Sequence, residues 1–190
     1  MTYYSSQQEM DAAIAVRPQA KKRLTNKQIA FISVFVAISV TVNAVAARAM
    51  GNKLSFAYTI DFMAGYFFGG IAGLLVGGIG DLLGCLLAGY APNPFILLSS
   101  CLLGFIPGMV KKLKVSLPAS IVISYALTLT VCTAFINTYG LWLMYGGGRT
   151  FFAYMAVRLT AQAPVIIANI ALTFFIMPLF RKVLKAEIFN

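Results

Sequence analysis

Residues 55–89 read SFAYTIDFMAGYFFGGIAGLLVGGIGDLLGCLLAG, and this apolar stretch decides how often the chain crosses a membrane. As one straight helix it would be about 50 Å long, whereas the hydrocarbon core of a bilayer is ~30 Å thick. The stretch must therefore turn, and Gly69-Gly70 is the natural position because glycine adopts the backbone angles of a tight reversal. Further apolar segments bring the predicted crossings to six: 28–47, 94–110, 116–145 and 150–180.

Three groups of basic residues indicate which side of the membrane each connection faces. They lie before the first crossing, between the fourth and fifth, and after the sixth: Lys21-Lys22-Arg23-Lys27, Lys111-Lys112-Lys114 and Arg181-Lys182-Lys185. Cytoplasmic loops are enriched in Lys and Arg, so all three groups are predicted to be cytoplasmic. Six crossings satisfy this condition and put both chain ends inside.

The composition agrees with a membrane protein, since 60% of the residues are hydrophobic and only 11% are charged. The net charge of +10 would suggest nucleic acid for a soluble protein. Here the cations cluster at the ends of apolar segments, so membrane lipid is the predicted partner and nucleic acid is not. The predicted fold is an all-α integral membrane protein with a polar cytoplasmic tail at 1–26, a six-helix transmembrane domain at 27–185 and a short cytoplasmic tail at 186–190.

Several kinds of chemistry are excluded by residues that the sequence lacks. It contains no histidine, which removes Ser-His-Asp catalysis and the common histidine metal sites. It has no Walker phosphate loop, so any ATP-driven step needs another chain. Cys85, Cys101 and Cys132 lie inside apolar segments without Cys-x-x-Cys spacing and are interpreted as small core residues. No metal site, cofactor or enzymatic activity is predicted.

Three charged residues lie within the apolar segments: Asp61, Asp81 and Arg158. A charge inside a bilayer costs roughly 2.5–3.5 kcal/mol, which makes each of them a functional hypothesis. Two explanations stay open for Asp81 and Arg158. They form an ion pair that locks helices together, or they line a polar binding cavity that opens outward.

An excess of positive charge on the predicted outer side favours the cavity. The cations on that side are Arg48, Lys53, Arg149 and Arg158. A cavity that attracts an anionic solute would account for them. Asn137, Trp142 and Gln162 add hydrogen-bonding and stacking groups on the last two segments.

Small residues recur at four-residue spacing on two parts of the chain. Gly65, Gly69, Gly73 and Gly77 lead to Asp81 and Cys85, a stripe that is typical of closely packed membrane helices. Ser33, Ala37 and Thr41 form a similar stripe on the first segment. The second face is predicted either to pack internally or to dock a partner subunit.

Several short elements occur in a recognisable order along residues 28–180: Phe67-Phe68-Gly69-Gly70-Ile71-Ala72-Gly73, Gly80-Asp81-Leu82-Leu83-Gly84, Pro92 to Pro94, Asn137-Thr138, Trp142, Tyr145-Gly146, Val157-Arg158-Leu159 and Pro164. Together they resemble the S components, the substrate-binding subunits of energy-coupling factor (ECF) vitamin transporters. The resemblance is greatest to the folate-specific group.

The resemblance implies a six-helix bundle in the bacterial cell membrane that captures a vitamin from outside. It also implies partners: one transmembrane coupling protein and two ATPase subunits that supply the energy. In this family, small residues at Ala-x-x-x-Ala spacing on the first helix contact the coupling protein. Ser33 and Ala37 occupy comparable positions here, and Thr41 continues the same face.

Folate suits the polar residues chemically. The paired N–H donors of its pterin edge complement a carboxylate, either Asp81 or Asp61, while Arg158, Arg149 or Arg48 would bind the glutamate tail or stack on the ring. The remaining polar edges would meet Asn137 and Gln162. The connection from Arg48 to Ser55 is a candidate lid, because Gly51-Asn52 gives it a flexible point.

The sequence departs from the family pattern in two places. Tyr139-Gly140 lies between Asn137-Thr138 and Leu141-Trp142, and Gly146-Gly147-Gly148 lengthens the following loop. Trp142 would then face a different direction from the one that the family pattern implies. Another small vitamin or a queuosine precursor is therefore an alternative substrate. Two further hypotheses are an integral membrane enzyme that acts on lipid through Asp61 and Asp81, and a channel or ion-coupled carrier gated by Asp81 and Arg158.

Overall fold

The computed structural model describes residues 25–50 and 56–188, and the side chains of 49–50 and 183–188 are not among the described ones. Six helices occupy this part of the chain: α1 Asn26–Met50, α2 Ala57–Phe68, α3 Gly70–Ala88, α4 Pro94–Val110, α5 Leu117–Tyr145 and α6 Phe151–Ile188. Several predicted features lie outside the description: the basic group Lys21-Lys22-Arg23, the tail before residue 25, Lys53 with residues 51–55 of the candidate lid, and the side chain of Lys185.

The predicted reversal within residues 55–89 is confirmed. Helix α2 ends at Phe68 and α3 begins at Gly70, and Gly69 between them has a φ of 98°. A residue with a Cβ rarely adopts this angle, so the turn requires glycine. The N–H of Gly69 donates to the carbonyl of Gly65, and the N–H of Gly73 donates back to the carbonyl of Gly69, both at 3.0 Å.

The helices confirm an all-α integral membrane protein. Five of the six are long and apolar enough to cross a bilayer, and α2 is the exception among the described residues. It has 12 residues and a length of about 18 Å, well short of the ~30 Å hydrocarbon core. The predicted second crossing is therefore a short helix that is buried over most of its length.

Glycine allows α2, α3 and α4 to pack backbone against backbone. A Cβ added to Gly73 would overlap the carbonyl oxygen of Gly104 and lie 2.6 Å from the Cα of Gly65. A Cβ at Gly65 would overlap the same Gly104 carbonyl. The glycine stripe predicted from the sequence is thus a helix-packing surface, as is usual in membrane proteins.

Contacts between helix ends bring two basic groups to one end of the bundle. The ammonium of Lys111 donates to the carbonyl of Tyr66 at 2.7 Å, beside the Gly69 turn, and is also within electrostatic range of Arg181. The ring of Phe35 packs on Phe68 and Phe180, with centroids 5.7 and 6.0 Å apart. The α2–α3 turn, the end of α4 and the last described side chains of α6 therefore share this end, which agrees with the charge pattern.

A π-helical segment, Thr128–Asn137, lies in the middle of α5 between two α-helical parts. The hydroxyl of Thr138 donates to the carbonyl of Thr133, five residues earlier, at 2.7 Å. A π segment widens the helix and changes the direction of the residues that follow, and such segments are frequent at functional sites. Asn137, at its end, is one of the predicted binding residues.

Candidate functional site

A cavity of about 330 Å³ lies between the six helices and is called the polar cavity here. Every helix contributes to its wall. Its polar side chains are Asn43, Tyr58, Asp61, Asp81, Ser99, Ser100, Asn137, Arg158 and Gln162, and apolar residues of α2, α4, α5 and α6 fill the gaps between them. The bundle thus encloses a chamber with both hydrogen-bond donors and acceptors inside a membrane-spanning fold.

The structure brings five of the eight predicted binding residues together in this chamber: Asp61, Asp81, Asn137, Arg158 and Gln162. They come from four different helices, so only the tertiary structure could show that they share one wall. Four other polar residues were missed by the sequence analysis: Asn43, Tyr58, Ser99 and Ser100. These four are neutral polar residues within apolar runs, and that position was the only indication of a binding role in the sequence. It is a weak indication, because such residues also take part in helix packing.

Asp61 is held from the first helix. Its side chain is 2% exposed, and the hydroxyl of Ser39 on α1 donates to its Oδ1 at 2.9 Å. The amide of Asn43 in turn donates to the oxygen of Ser39 at 3.4 Å. This chain of contacts fixes one face of α1 against α2 and orients a carboxylate at the cavity wall.

Replacement of Ser39 by Ala should leave a buried carboxylate oxygen without its donor. An unmet buried acceptor costs ~1–3 kcal/mol, so the variant should unfold at a lower temperature than the wild type. Ser33→Ala is the matched control, because the Ser33 hydroxyl is exposed and bonds only the Ile29 carbonyl of its own helix. Thermal unfolding of both purified variants tests this, and equal stability of the two would contradict the assigned role of Ser39.

Three polar atoms on the cavity wall are buried without a hydrogen-bond partner: Asp81 Oδ2, Asn137 Oδ1 and Arg158 Nε. Asp81 and Arg158 both lie in the described part of the chain, and no ion pair joins them. The predicted locking pair is thus not formed. Buried polar groups are normally satisfied, so unsatisfied acceptors and donors in one cavity indicate a place for a polar ligand.

Arg158 lies among tyrosines. Its guanidinium is within hydrogen-bonding reach of Tyr154, and Tyr58 lines the same cavity, while its Nε is without a partner. Four residues further along α6, Gln162 also lines the cavity, as the periodicity of a helix requires. Pro164 follows and has no N–H, so it leaves the carbonyl of Thr160 without its helical donor. Two successive turns of α6 therefore carry a cation, an amide and a local break in the helical hydrogen bonding.

The other three predicted binding residues, Trp142, Arg149 and Arg48, do not line the polar cavity. The Trp142 ring N–H donates to the carbonyl of Arg149 at 2.8 Å. This ring packs with Tyr139 and Phe151 on a separate aromatic surface. At ~100° per residue Trp142 lies about 140° around the helix from Asn137, which explains why the two face different ways.

Arg48 has a different partner from the one predicted. Its guanidinium donates to the carbonyl of Leu87, in the last turn of α3. A cation at this end of a helix meets carbonyls that have no helical donor, so the contact is a favourable helix cap. Arg48 therefore links the end of α1 to the end of α3 and does not line the polar cavity.

Comparison with known proteins agrees with this architecture. The family described as "ECF-type riboflavin transporter, S component" matches residues 23–186, which is most of the chain. No curated protein matches the chain significantly. Because the family match covers all six helices, the chain belongs to the S components of ECF-type transporters, which are multi-pass cell-membrane subunits that bind the transported substrate and are not enzymes.

Proposed function

We propose that this S component captures folate and holds it by its pterin ring in the polar cavity. The observation that carries the proposal is the set of three unpaired buried atoms, Asp81 Oδ2, Asn137 Oδ1 and Arg158 Nε. A ligand that offers N–H donors to the first two and an acceptor to the third would satisfy all of them. A pterin ring has these groups on its polar edges.

The carboxylate of Asp81 complements a pterin ring better than a flavin ring. An ionised carboxylate only accepts hydrogen bonds, and it pairs best with two adjacent N–H donors. The pterin edge presents such a pair from its exocyclic amine and neighbouring ring N–H. The flavin edge instead presents one N–H between two carbonyls, which an amide complements better than a carboxylate does.

Riboflavin is the second candidate, because the matching family is described by that substrate. The amides of Asn43, Asn137 and Gln162 line the same cavity and supply both donors and acceptors. They are the groups that a flavin edge would use. The unpaired carboxylate oxygen of Asp81 makes folate the better match.

Titration of the purified chain separates these candidates. We expect saturable binding of folate in detergent solution, followed by calorimetry, with weaker or no binding of riboflavin under the same conditions. Thiamine serves as a control vitamin that lacks both ring edges. Tight binding of riboflavin without binding of folate would refute the folate assignment and leave the role as capture subunit intact.

We further propose that the short helix α2 also crosses the membrane, which brings the number of crossings to six, and that the Lys111 and Arg181 ends face the cytoplasm. Exposed cations at Lys111, Lys112, Lys114, Arg181 and Lys182 support this orientation through the positive-inside bias. The end that carries Arg48 and Leu87 would then face outward. Folate would enter there, and α2 would lie deep in the bundle beneath the entrance.

The coupling protein of the ECF module is proposed to dock on α1. Ser33, Ala37 and Thr41 are all exposed on this helix. The hydroxyls of Ser33 and Thr41 donate to carbonyls of their own helix at 3.0 and 2.8 Å. The face consequently presents small side chains with satisfied hydrogen bonds, which allows a partner helix to approach closely. ATPase subunits attached to that partner would supply the energy for release.

A further inference from the structure

A second cavity, of about 380 Å³, adjoins the polar cavity and is called the apolar cavity here. Ile96 and Leu141 line both, so the two chambers share part of one wall. The other lining residues come from the ends of α1, α3 and α5 and from the α3–α4 connection: Ala47, Cys85, Tyr90, Ala91, Asn93, Met144 and Tyr145. The apolar cavity thus lies toward the end of the bundle that is remote from Lys111.

The apolar cavity differs from its neighbour in chemistry. No charged side chain lines it. Its one amide, Asn93, is already engaged: Oδ1 accepts from the N–H of Phe95 at 2.9 Å, and Nδ2 lies 3.0 Å from the sulfur of Met144. Tyr90 and Tyr145 are more than half exposed. The remaining groups are the rings and hydroxyls of these two tyrosines, the Cys85 thiol, the Met144 side chain that Asn93 contacts, and aliphatic carbon.

We propose that the apolar cavity is a subsite for an uncharged aromatic group that is attached to the hydrogen-bonding ring of the substrate. The inference rests on the proposed function. The polar cavity would hold the pterin, and the aminobenzoyl ring of folate would pass between Ile96 and Leu141 and stack near Tyr90, Met144 and Tyr145. Flat rings gain contact area against tyrosine faces and methionine sulfur.

The charges that line the two cavities indicate which end of the substrate enters the polar cavity. The polar cavity offers the anionic glutamate end of folate a single cation, Arg158, beside the two acids Asp61 and Asp81, so this cavity does not favour that end. The apolar cavity has no cation to attract that end. The ring must then point into the polar cavity and the glutamate must extend beyond both chambers. The chain would discriminate by length, preferring vitamins with an aromatic group beyond the hydrogen-bonding ring system to fragments that lack this group.

Ala91→Trp tests the subsite. Ala91 is exposed in the connection before α4, so a larger side chain there should fill the apolar cavity without disturbing the helix core. We expect folate affinity to fall by about tenfold, and the affinity for 6-hydroxymethylpterin, which lacks the aminobenzoyl ring, to stay within about twofold of the wild type. Ala153→Trp, at an exposed alanine on α6 that lines neither cavity, should change neither affinity.

Met144→Trp provides a second obstruction, from α5 instead of the α3–α4 connection. Met144 is 58% exposed, so a larger side chain there should be tolerated. Size-exclusion chromatography and thermal unfolding verify that each variant is folded. Equal losses of affinity for both ligands, or no loss for either, would overturn the subsite. In that case folate binding by the wild type would still support the proposed function. A folded wild type that binds no folate would overturn the proposed function and the subsite with it.

Discussion

Replacement of Asp81 by Asn is expected to lower the affinity for folate by about 100-fold. Asn has nearly the same shape, but its amide nitrogen would face a donor edge of the pterin. The loss combines a missing charge-assisted hydrogen bond with an unpaired buried donor. Asp81 is 6% exposed, so solvent cannot compensate. Calorimetric titration of the folded variant measures the change.

Asp61→Asn is the matched control for this prediction. Both acids line the polar cavity, and both have a hydroxyl partner: Ser39 donates to Oδ1 of Asp61, and Ser100 bonds the carboxylate of Asp81. They differ in that Oδ2 of Asp81 is buried without a partner. We expect Asp61→Asn to lower folate affinity by less than about tenfold. A strong loss in Asp61→Asn together with an unchanged Asp81→Asn would assign the pterin edge to the other carboxylate and refute the role given to Asp81.

The second large effect is expected for the stability of Gly73→Ala. A Cβ at residue 73 would overlap the carbonyl oxygen of Gly104 and crowd the Cα of Gly65. Both obstacles are backbone, so neither can rotate away, and α3 must separate from α2 and α4. Overpacking of this kind costs ~1–3 kcal/mol or more, so the thermal unfolding temperature of the purified variant should fall markedly.

Gly78→Ala, in the same helix, distinguishes this effect from a general intolerance of alanine. Its Cβ would meet only the sulfur of Cys101, at 2.6 Å, and that side chain can change its rotamer. Both substitutions improve helix propensity by a similar amount. The difference between the two unfolding temperatures therefore reports the backbone contact, and two equally stable variants would rule out the close packing at Gly73.

Beside the polar cavity, a second group of polar residues connects α2, α5 and α6 and has no charge. Thr59 donates to the Asn169 side chain at 3.0 Å, and the hydroxyls of Tyr125 and Thr173 are 2.7 Å apart. These four side chains are at most 3% exposed. Satisfied buried hydrogen bonds specify a particular arrangement of helices. They hold Tyr58, which directly precedes Thr59, and Asp61 in position at the cavity wall.

Local physical chemistry was enough to predict much of this protein from its sequence. The apolar run 55–89 is too long for one span and contains one glycine pair suited to a turn, so the reversal at Gly69 follows without tertiary information. The cost of a charge in a bilayer singled out Asp61, Asp81 and Arg158, and the structure brings all three to one cavity. The charge bias of loops anticipated that the Lys111 and Arg181 groups share an end.

The tertiary structure alone decided which polar residues share a wall and which carboxylate oxygen is buried without a partner. Trp142, Arg149 and Arg48 have suitable chemistry, yet helix rotation and local carbonyl partners hold them away from the polar cavity. Hydropathy likewise did not predict that α2 is much shorter than the other helices. Composition and spacing indicate how deep along a helix a residue lies. Contact with a ligand also depends on the rotation of that helix about its axis. Packing between the helices and the π segment of α5 determine this rotation.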